Sequence, residues 1–362
     1  MSLSRFAAIL LSPVLLASPA IVYAQAALPS VNDAAPEADE APPHEGGWVH
    51  TIESDLIQEK FDDLDRMADR YRREKTRLSG GEWRLRRFYT ALDAPQQTDK
   101  DSVDHLAHLQ NWTQQRSESI TARVALATSL TRWAWVARGN GQANTVTPEG
   151  WRLFGERIQH AQSVLESSAK MRDMCPQWYS EMLTVGLAEN WSADRMKDVF
   201  ERGIQFEPDY FYLYRQYANY LLPKWDGQPG QAAEFAKSSA DKVGGDVGDQ
   251  VYYEIATVLI KRGDGDFPVH QMDWKRIQSG YQAVTLQYGA SRRTKNEIAY
   301  MAYKFHDAAV ARQQFDLIGD DWSRTVWRDR QYFDRARDWS QSHTSSSVRN
   351  VSPQLMLPTP TG

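Results

Sequence analysis

The sequence cannot form an intramolecular disulfide bond, because Cys175 is the only cysteine among its 362 residues. A chain of this length buries a core large enough to be stable without such bonds. Cys175 has two open interpretations: a reactive or intermolecular thiol, or a half-buried residue that comes just before a helix starting at Pro176. We favour the second interpretation.

Charge of one sign is not in excess over most of the chain. The formal net charge is −5, and for residues 48–362 alone it amounts to about −1. Basic clusters such as Arg70–Arg73 are flanked by Asp69 and Glu74, a pattern typical of solvated helix faces. This balance excludes the usual electrostatic mode of nucleic-acid binding.

Long apolar runs are missing except at the N-terminus, where residues 1–24 are predicted to be a signal peptide. Arg5 precedes the apolar stretch Phe6–Leu16, which is too short and too interrupted for a membrane-spanning helix of about 20 residues. Cleavage is expected after Ala24, with Ala26 as the alternative; an uncleaved anchor is the rival interpretation. We therefore predict an exported protein, periplasmic or secreted, with no membrane span after signal removal.

Two segments lack the apolar residues that a folded core requires. Residues 25–47 contain five acidic groups, no basic ones and several prolines, which predicts a disordered linker. Residues 340–362 are rich in serine, threonine and proline and predict a disordered tail. The folded domain is accordingly expected over residues 48–339.

Strand patterns are also absent: no run of about four to eight alternating or β-branched residues stands out, whereas nearly all of residues 50–339 has helical spacing. The clearest region is 191–224. Ser192 is expected to cap a helix with one apolar face, Pro208 to close it, and a second apolar helix to follow from Tyr210 to Leu221. Such short helices cannot bury their apolar faces alone, so they stack.

Further helices are predicted by the same spacing. They cover Ile57–Tyr71, Leu85–Leu92, Asp101–Gln115, Ser119–Ala137, Pro148–Leu165 with Trp151 in its apolar stripe, Pro176–Val185, a helix starting at Gln228-Pro229, one after a glycine-rich turn at Gly244–Gly248, Trp274–Tyr288 and Arg292–His306. The predicted fold is therefore all-α, a helical-hairpin repeat array resembling a tetratricopeptide-like α-α superhelix.

Aromatic residues are plentiful, with thirteen tryptophans, most of them expected to be wedges between helices. Trp178 and Trp225 are expected to shape the array. Trp135 and Tyr212, however, share helical faces with polar residues. Helical arrays hold peptides with such faces, although packing against a neighbouring loop explains the pattern equally well. The candidate partner-binding residues are Trp135, Arg138, Tyr212, Arg215, Gln216 and Asn219.

Metal-binding patterns are weak. His105 and His108 are three residues apart on one predicted helix, a spacing that places two imidazoles on one side, but solvated histidines are the more ordinary reading. Asp241–Asp249 and Gly263–Asp266 contain oxygen ligands without the spacing of a helix–loop–helix calcium site, so turns between helices are favoured. We predict no metal and no cofactor.

Catalytic motifs are not found. The chain has no nucleophile elbow and no paired metal-binding histidines with a glutamate between them, and Gly139–Gly141 is too short for a phosphate-binding loop. Two carboxylates facing one cleft, as in a glycosidase, cannot be read from sequence spacing. No catalytic residue is assigned.

Several stretches resemble a bacterial family known only as a domain of unknown function, DUF4034. They are Phe61–Arg66, Gly81–Tyr89, Ala134–Gly139, Cys175–Tyr179 and Tyr220–Gly227. The resemblance extends over roughly residues 55–330 and implies an uncharacterised helical domain without known catalytic residues. Residues 196–208 are also similar to the second half of a tetratricopeptide repeat, with Phe200, Gly203 and Pro208 at matching offsets.

These observations favour a non-enzymatic, exported helical scaffold that binds a protein or peptide partner in the cell envelope. The alternative is an envelope hydrolase acting on a polysaccharide or peptidoglycan, in which aromatic rings stack on sugars and two acids transfer protons.

Overall fold

The computed structural model describes residues 46–93, 98–139, 141, 143–225, 227–262 and 269–343. The predicted signal peptide, nearly all of the linker and the Gly263–Asp266 turn lie outside these residues. The described residues form sixteen α-helices and no strand, which confirms the all-α prediction. The helices are α1 Gly46–Ile57, α2 Phe61–Glu74, α3 Arg84–Leu92, α4 Asp99–Gln115, α5 Ile120–Arg138, α6 Pro148–Ser168, α7 Pro176–Ala188, α8 Ala193–Phe206, α9 Tyr212–Tyr220, α10 Gln231–Val243, α11 Gly245–Arg262, α12 Trp274–Tyr288, α13 Arg292–Lys304, α14 Ala308–Ile318, α15 Arg324–Trp327 and α16 Arg330–His343.

Helix starts follow the capping signals of the sequence. The hydroxyl of Ser192 accepts a hydrogen bond from the Arg195 amide at the start of α8. Thr147 accepts one from Gly150, and Pro148 is the first residue of α6. Pro176 likewise begins α7. Each of these signals satisfies or removes a backbone N–H that has no partner inside the helix.

Two predicted apolar stripes are wrong at one residue each. Ile57 is exposed, because Glu59 adopts a positive φ of 56° and separates α1 from a new helix that begins at Phe61. Trp151 is 39 % exposed. It lies in the first turn of α6, beside the end of α5, where the neighbouring helix no longer covers it.

Three further expectations need adjustment. The Gly244–Gly248 turn is confined to Gly244, because α11 already begins at Gly245. The last helix continues to His343, beyond the expected start of the tail at residue 340, and it buries Ser340. Cys175 is fully buried rather than half-buried, with its Sγ 3.4 Å from Tyr89 Oη.

The helices between α5 and α14 form two layers. We call α5, α7, α9, α11 and α13 layer A, because each of them contacts the next. The helices that return between them, α6, α8, α10, α12 and α14, form layer B. Each layer B helix packs against a sequence neighbour from layer A, so the chain is an array of helical hairpins.

The first three helices of layer A run in the same direction. Arg72 contacts Thr121 at the start of α5 and Cys175 just before α7. Tyr210, just before α9, donates to the Gln177 side chain at the start of α7, over 2.5 Å. The far ends of α5 and α9 are joined by Trp135 and Trp225, whose ring centroids are 6.4 Å apart. Consecutive layer A helices therefore place matching turns side by side.

The connection between α2 and α3 holds distant parts of the array together. We call residues 75–83 the clasp. The Gly80 amide donates to Gly289 O over 2.8 Å, between α12 and α13. Trp83 Nε1 donates to Asp209 O over 3.0 Å, and Lys75 forms an ion pair with the buried Glu207. The clasp thus joins the N-terminal helices to both the middle and the end of the array.

The last helices add a second, smaller core. Phe315, Trp327 and Phe333 pack together, and the buried Asn296 accepts hydrogen bonds from Trp327 Nε1 (2.9 Å) and the Ser323 amide (3.0 Å). This cluster attaches α14–α16 to α13 of layer A. Within the described part of the chain, every helix is too short or too polar to cross a bilayer.

Candidate binding site

A row of polar side chains crosses layer A from helix to helix. Thr128 of α5 donates to Glu181 Oε2 of α7 over 3.3 Å, and Gln216 of α9 donates to Thr184 of α7 over 3.1 Å. Arg215 of α9 forms an ion pair of 2.7 Å with Glu254 of α11. We call these six residues the polar row: Thr128, Glu181, Thr184, Arg215, Gln216 and Glu254. All but Glu181 are half-buried, so the row borders solvent.

Glu181 is the chemically unusual member of the polar row. Its side chain is 5 % exposed, and burial raises its pKa from 4.5 to about 7, although the nearby Arg86 guanidinium acts in the opposite direction. At neutral pH this carboxyl is therefore close to the midpoint of its titration. It can accept a hydrogen bond in one state and donate one in the other.

A second buried acid, Asp93, lies next to the polar row at the end of α3. Its Oδ1 accepts from Ser129 over 3.1 Å, and its Oδ2 forms an ion pair of 2.5 Å with Arg132. Burial raises the pKa of Asp93 in spite of Arg132. Because both carboxylate oxygens are already engaged, Asp93 anchors α3 to α5 and holds Arg132 in place.

A group of aromatic rings lies near the C-terminal ends of α5 and α9. Trp135 packs edge-on against Phe154 at 4.8 Å between centroids and against Trp225 at 6.4 Å, and Trp151 packs against Phe154 at 5.8 Å. We call these four residues the aromatic corner. The Arg138 guanidinium lies 5.4 Å from the Trp151 ring centre. The corner therefore combines apolar surface with one buried positive charge.

Several buried polar side-chain atoms on α5, on α9 and just after α9 have no hydrogen-bond partner among the described residues. They include Arg132 Nε, Arg138 Nε and Nη2, both amide atoms of Asn219, and Trp225 Nε1. An unsatisfied buried polar group costs about 1–3 kcal/mol. Native proteins contain few such groups, so each of them is a position where water or a ligand can supply the missing hydrogen bond.

The structure gives the six predicted contact residues different surroundings. Trp135 belongs to the aromatic corner, and Arg215 and Gln216 belong to the polar row. Tyr212 lies between Arg86 and Arg215, at 5.4 and 5.8 Å, and burial raises its pKa. Their contact with a partner stays a prediction.

Arg138 and Asn219 are buried, with 3 % and 1 % of their surface exposed. Neither reaches the surface in this conformation, so contact with a partner requires the overlying side chains to move. Trp178 is a core residue whose Nε1 donates to Leu165 O, and the half-buried Trp225 joins α9 to α5. Both tryptophans pack between helices, as expected.

Sequence reasoning missed Glu181 and Asp93. Glu181 did carry a signal, since it is a lone acid within the apolar face of α7, between Trp178 and Val185. Asp93 follows the last apolar residue of α3 and looks like an ordinary helix end. Only the packing of α5 against α3 shows that it is buried.

The weak metal patterns have other partners in the structure. His105 is 3.3 Å from the Ser129 hydroxyl, and burial lowers its pKa to about 4, whereas His108 faces Glu59 at 3.4 Å. Asp241 and Asp249 both bind Arg276, at 2.5 and 2.8 Å. Within the described ranges, no three histidine, cysteine, aspartate or glutamate side chains cluster as a metal site would require.

Comparison with known proteins finds a match to one family model over part of the chain. No curated protein and no solved structure matches the chain. The sequence model of the domain of unknown function DUF4034 matches residues 49–165, which include the stretches Phe61–Arg66, Gly81–Tyr89 and Ala134–Gly139. The expected similarity beyond residue 165 stays a prediction. From α1 to the end of α6, the chain is thus similar to DUF4034, a family without an assigned function.

Proposed function

We propose that the protein is an exported helical scaffold that binds an extended segment of a protein or peptide across layer A. The polar row is the observation that carries this proposal. It places hydroxyls, an amide and charged groups across α5, α7, α9 and α11, and groups of these kinds pair with the backbone donors and acceptors of an extended peptide.

The spacing of the helices supports an extended ligand. Neighbouring packed helices lie about 8–10 Å apart, and an extended chain advances about 3.3 Å per residue. Each step from α5 to α7 to α9 therefore corresponds to about three residues of peptide. Tyr212 and Trp135 supply rings at the margins of the row, where alternate side chains of the ligand would pack.

Selection of peptides by the purified domain tests the binding proposal. Peptides chosen from a random-sequence display library would be titrated by fluorescence anisotropy against the parent protein and Gln216→Ala. We expect Gln216→Ala to weaken binding about fivefold or more, the effect of losing one hydrogen bond. Lys197→Ala, on the exposed side of α8, is the control and should bind as the parent does.

Two results would contradict the binding proposal. One is the failure of repeated selections to yield any peptide that binds; the other is a selected peptide whose affinity is the same for the parent, Gln216→Ala and Tyr212→Ala proteins. Export is tested separately by the N-terminal sequence of the protein recovered from a periplasmic fraction. A mature chain beginning at residue 25 or 27 is expected, whereas an intact Met1 would contradict cleavage.

The hydrolase alternative requires two acids about 5–10 Å apart that face one cleft. Glu181 of the polar row and Asp93 beside it are both buried acids, and the negative charge of Asp93 contributes to the raised pKa of Glu181. Asp93, however, already uses both oxygens to hold Ser129 and Arg132. Binding is therefore favoured over catalysis at this site.

A further inference from the structure

Arg138, the last residue of α5, is fixed by one of its two terminal nitrogens. Nη1 donates to Gly139 O over 3.0 Å and to Gly141 O over 2.6 Å. These bonds satisfy carbonyl groups just after the helix end, which have no partner within α5. The side chain is 3 % exposed. A structural role at the helix end accounts for the hydrogen bonds of Nη1. It does not account for the burial of the other two nitrogens of this guanidinium.

The other two nitrogen positions of Arg138, Nε and Nη2, are buried and have no hydrogen-bond partner among the described residues. Their N–H groups point in parallel from the same edge of the guanidinium, which is the edge that binds both oxygens of one carboxylate. No described carboxylate forms an ion pair with Arg138, and burial lowers its pKa, the opposite of what a neighbouring acid would do.

A buried charge without a counter-ion is costly, and one partner would relieve that cost. The surroundings restrict what this partner is. The Trp151 ring lies over the guanidinium at 5.4 Å, and Trp135, one helical turn before Arg138, packs against Phe154 and Trp225. The ligand must therefore carry an anion next to apolar surface.

We propose that Arg138 and the aromatic corner bind the C-terminal carboxylate of a peptide, with Nε and Nη2 donating to its two oxygens. The last side chain of the peptide packs against the outer surface of the contacting Trp135 and Trp225 rings. Trp151 is partly exposed and covers the guanidinium, so its indole moves aside when the carboxylate enters. This inference rests on the proposed function. It places the C-terminus of the bound peptide beside the last turn of α5.

Small carboxylate probes test the proposal without knowledge of the natural ligand. The ¹H–¹⁵N NMR signal of Arg138 Nε–H would be assigned by its loss in Arg138→Lys. It would then be followed during titration with N-acetyl-leucine and with N-acetyl-leucinamide. We expect the acid to shift this signal and the indole N–H signal of Trp225, and the amide to leave both unchanged.

Affinity measurements provide the second part of the test. A peptide selected on layer A would be compared with a free and with an amidated C-terminus. Amidation is expected to weaken binding to the parent roughly 10- to 100-fold, the effect of losing two charge-assisted hydrogen bonds. Arg138→Lys keeps the charge but not the paired donors, so it should reduce this difference to a small factor. Circular dichroism would confirm that the variant is folded.

The outcomes separate this inference from the proposed function. A selected peptide that binds equally well as acid and amide, yet loses affinity in Gln216→Ala, would overturn the carboxylate site and leave peptide binding intact. A larger shift of the Arg138 signal with glucuronic acid than with N-acetyl-leucine would also overturn it, in favour of an acidic sugar. Equal effects of N-acetyl-leucine and sodium chloride would show that the site does not recognise a carboxylate.

Discussion

At the scale of single residues, the site depends on polar groups that the protein keeps away from water. Glu181 is buried beside Thr128, and Arg138 is buried beneath Trp151. Arg138 has two nitrogens without a hydrogen-bond partner among the described residues, and burial raises the pKa of Glu181. Buried ionisable groups with shifted pKa values are concentrated at functional sites, and here they lie on adjacent helices of layer A.

Glu181→Gln should change the pH dependence of stability. Because burial raises the Glu181 pKa from 4.5 to about 7, the folded protein binds the proton more tightly than the unfolded chain does between these pH values. This group's contribution to stability is therefore complete below pH 4.5 and is lost as the pH rises through 7. The loss amounts to about 3 kcal/mol by pH 8.

The measurement is urea-induced unfolding of parent and Glu181→Gln proteins at several pH values. The free energy of unfolding of the variant minus that of the parent should increase by up to about 3 kcal/mol between pH 4.5 and 8. Titrating groups that do not interact with Glu181, such as His105, cancel in this difference. A difference that does not change with pH would show that Glu181 is not buried as described.

At the scale of helices, capping residues made most boundaries predictable, although α4 begins at Asp99, two residues before its expected start at Asp101. The predicted Trp274–Tyr288 helix has the observed bounds of α12, because Asp273 caps its start and Gly289 adopts a positive φ at its end. The break at Glu59 was missed, because a non-glycine residue with positive φ leaves no compositional signal. Boundaries that depend on glycine, proline or a capping side chain are therefore the predictable ones.

The polar row was only partly predictable, for a physical reason. The 3.6-residue period places Tyr212, Arg215 and Gln216 on one side of α9, so this set was found. The partners of these residues are far away in sequence: Thr128 is 53 residues from Glu181, and Arg215 is 39 residues from Glu254. Which helices become neighbours is decided by packing, and no local pattern reports it.

Two glycines inside helices should respond in opposite ways to alanine. In Gly186→Ala, the new Cβ on α7 would lie 2.5 Å from Met196 Sδ and 2.7 Å from Trp191 Cε3. Such overpacking is expected to cost about 1–3 kcal/mol. In Gly155→Ala, on α6, the new Cβ meets no atom within 4 Å, so the better helix propensity of alanine should stabilise by about 0.5–1 kcal/mol.

Chemical denaturation followed by circular dichroism would measure both glycine variants. The close contact between α7 and α8 predicts a lower unfolding midpoint for Gly186→Ala. The open space around Gly155 on α6 predicts a higher midpoint for Gly155→Ala. If both variants were stabilised to the same extent, the close packing of α7 against α8 at Gly186 would be incorrect.

At the scale of the whole molecule, the clasp determines how the array holds together. An open helical array is stabilised only by contacts between successive repeats. Here, residues 75–83 also contact the turns before α9 and α13. Gly80 permits this approach because it is buried and has a φ of 77°; a Cβ there would lie 2.6 Å from Ser291 Oγ.

Gly80→Ala should release the clasp, and Gly230→Ala is its matched control. Both glycines are in the left-handed region, with φ of 77° and 84°, so both substitutions incur similar backbone strain. Only at Gly80 does the new Cβ overlap with α13; at Gly230 its nearest neighbour is 3.5 Å away. We therefore expect Gly80→Ala to be less stable than Gly230→Ala by about 1–3 kcal/mol.

Hydrogen–deuterium exchange would locate the effect of releasing the clasp. Amides in residues 75–83 and at the start of α13 should exchange faster together in Gly80→Ala, and neither set should change in Gly230→Ala. Faster exchange in residues 75–83 alone would mean that the clasp does not support the end of the array.

The contact between residues 75–83 and the α12–α13 turn also bears on how such a protein can evolve. Open arrays lengthen and shorten by gaining or losing whole hairpins, since each new hairpin meets only its neighbours. In this chain, the gain or loss of one hairpin between α3 and α12 would separate Gly80 from Gly289 and break their hydrogen bond. Duplication within that interval is therefore disfavoured, and growth is expected outside it.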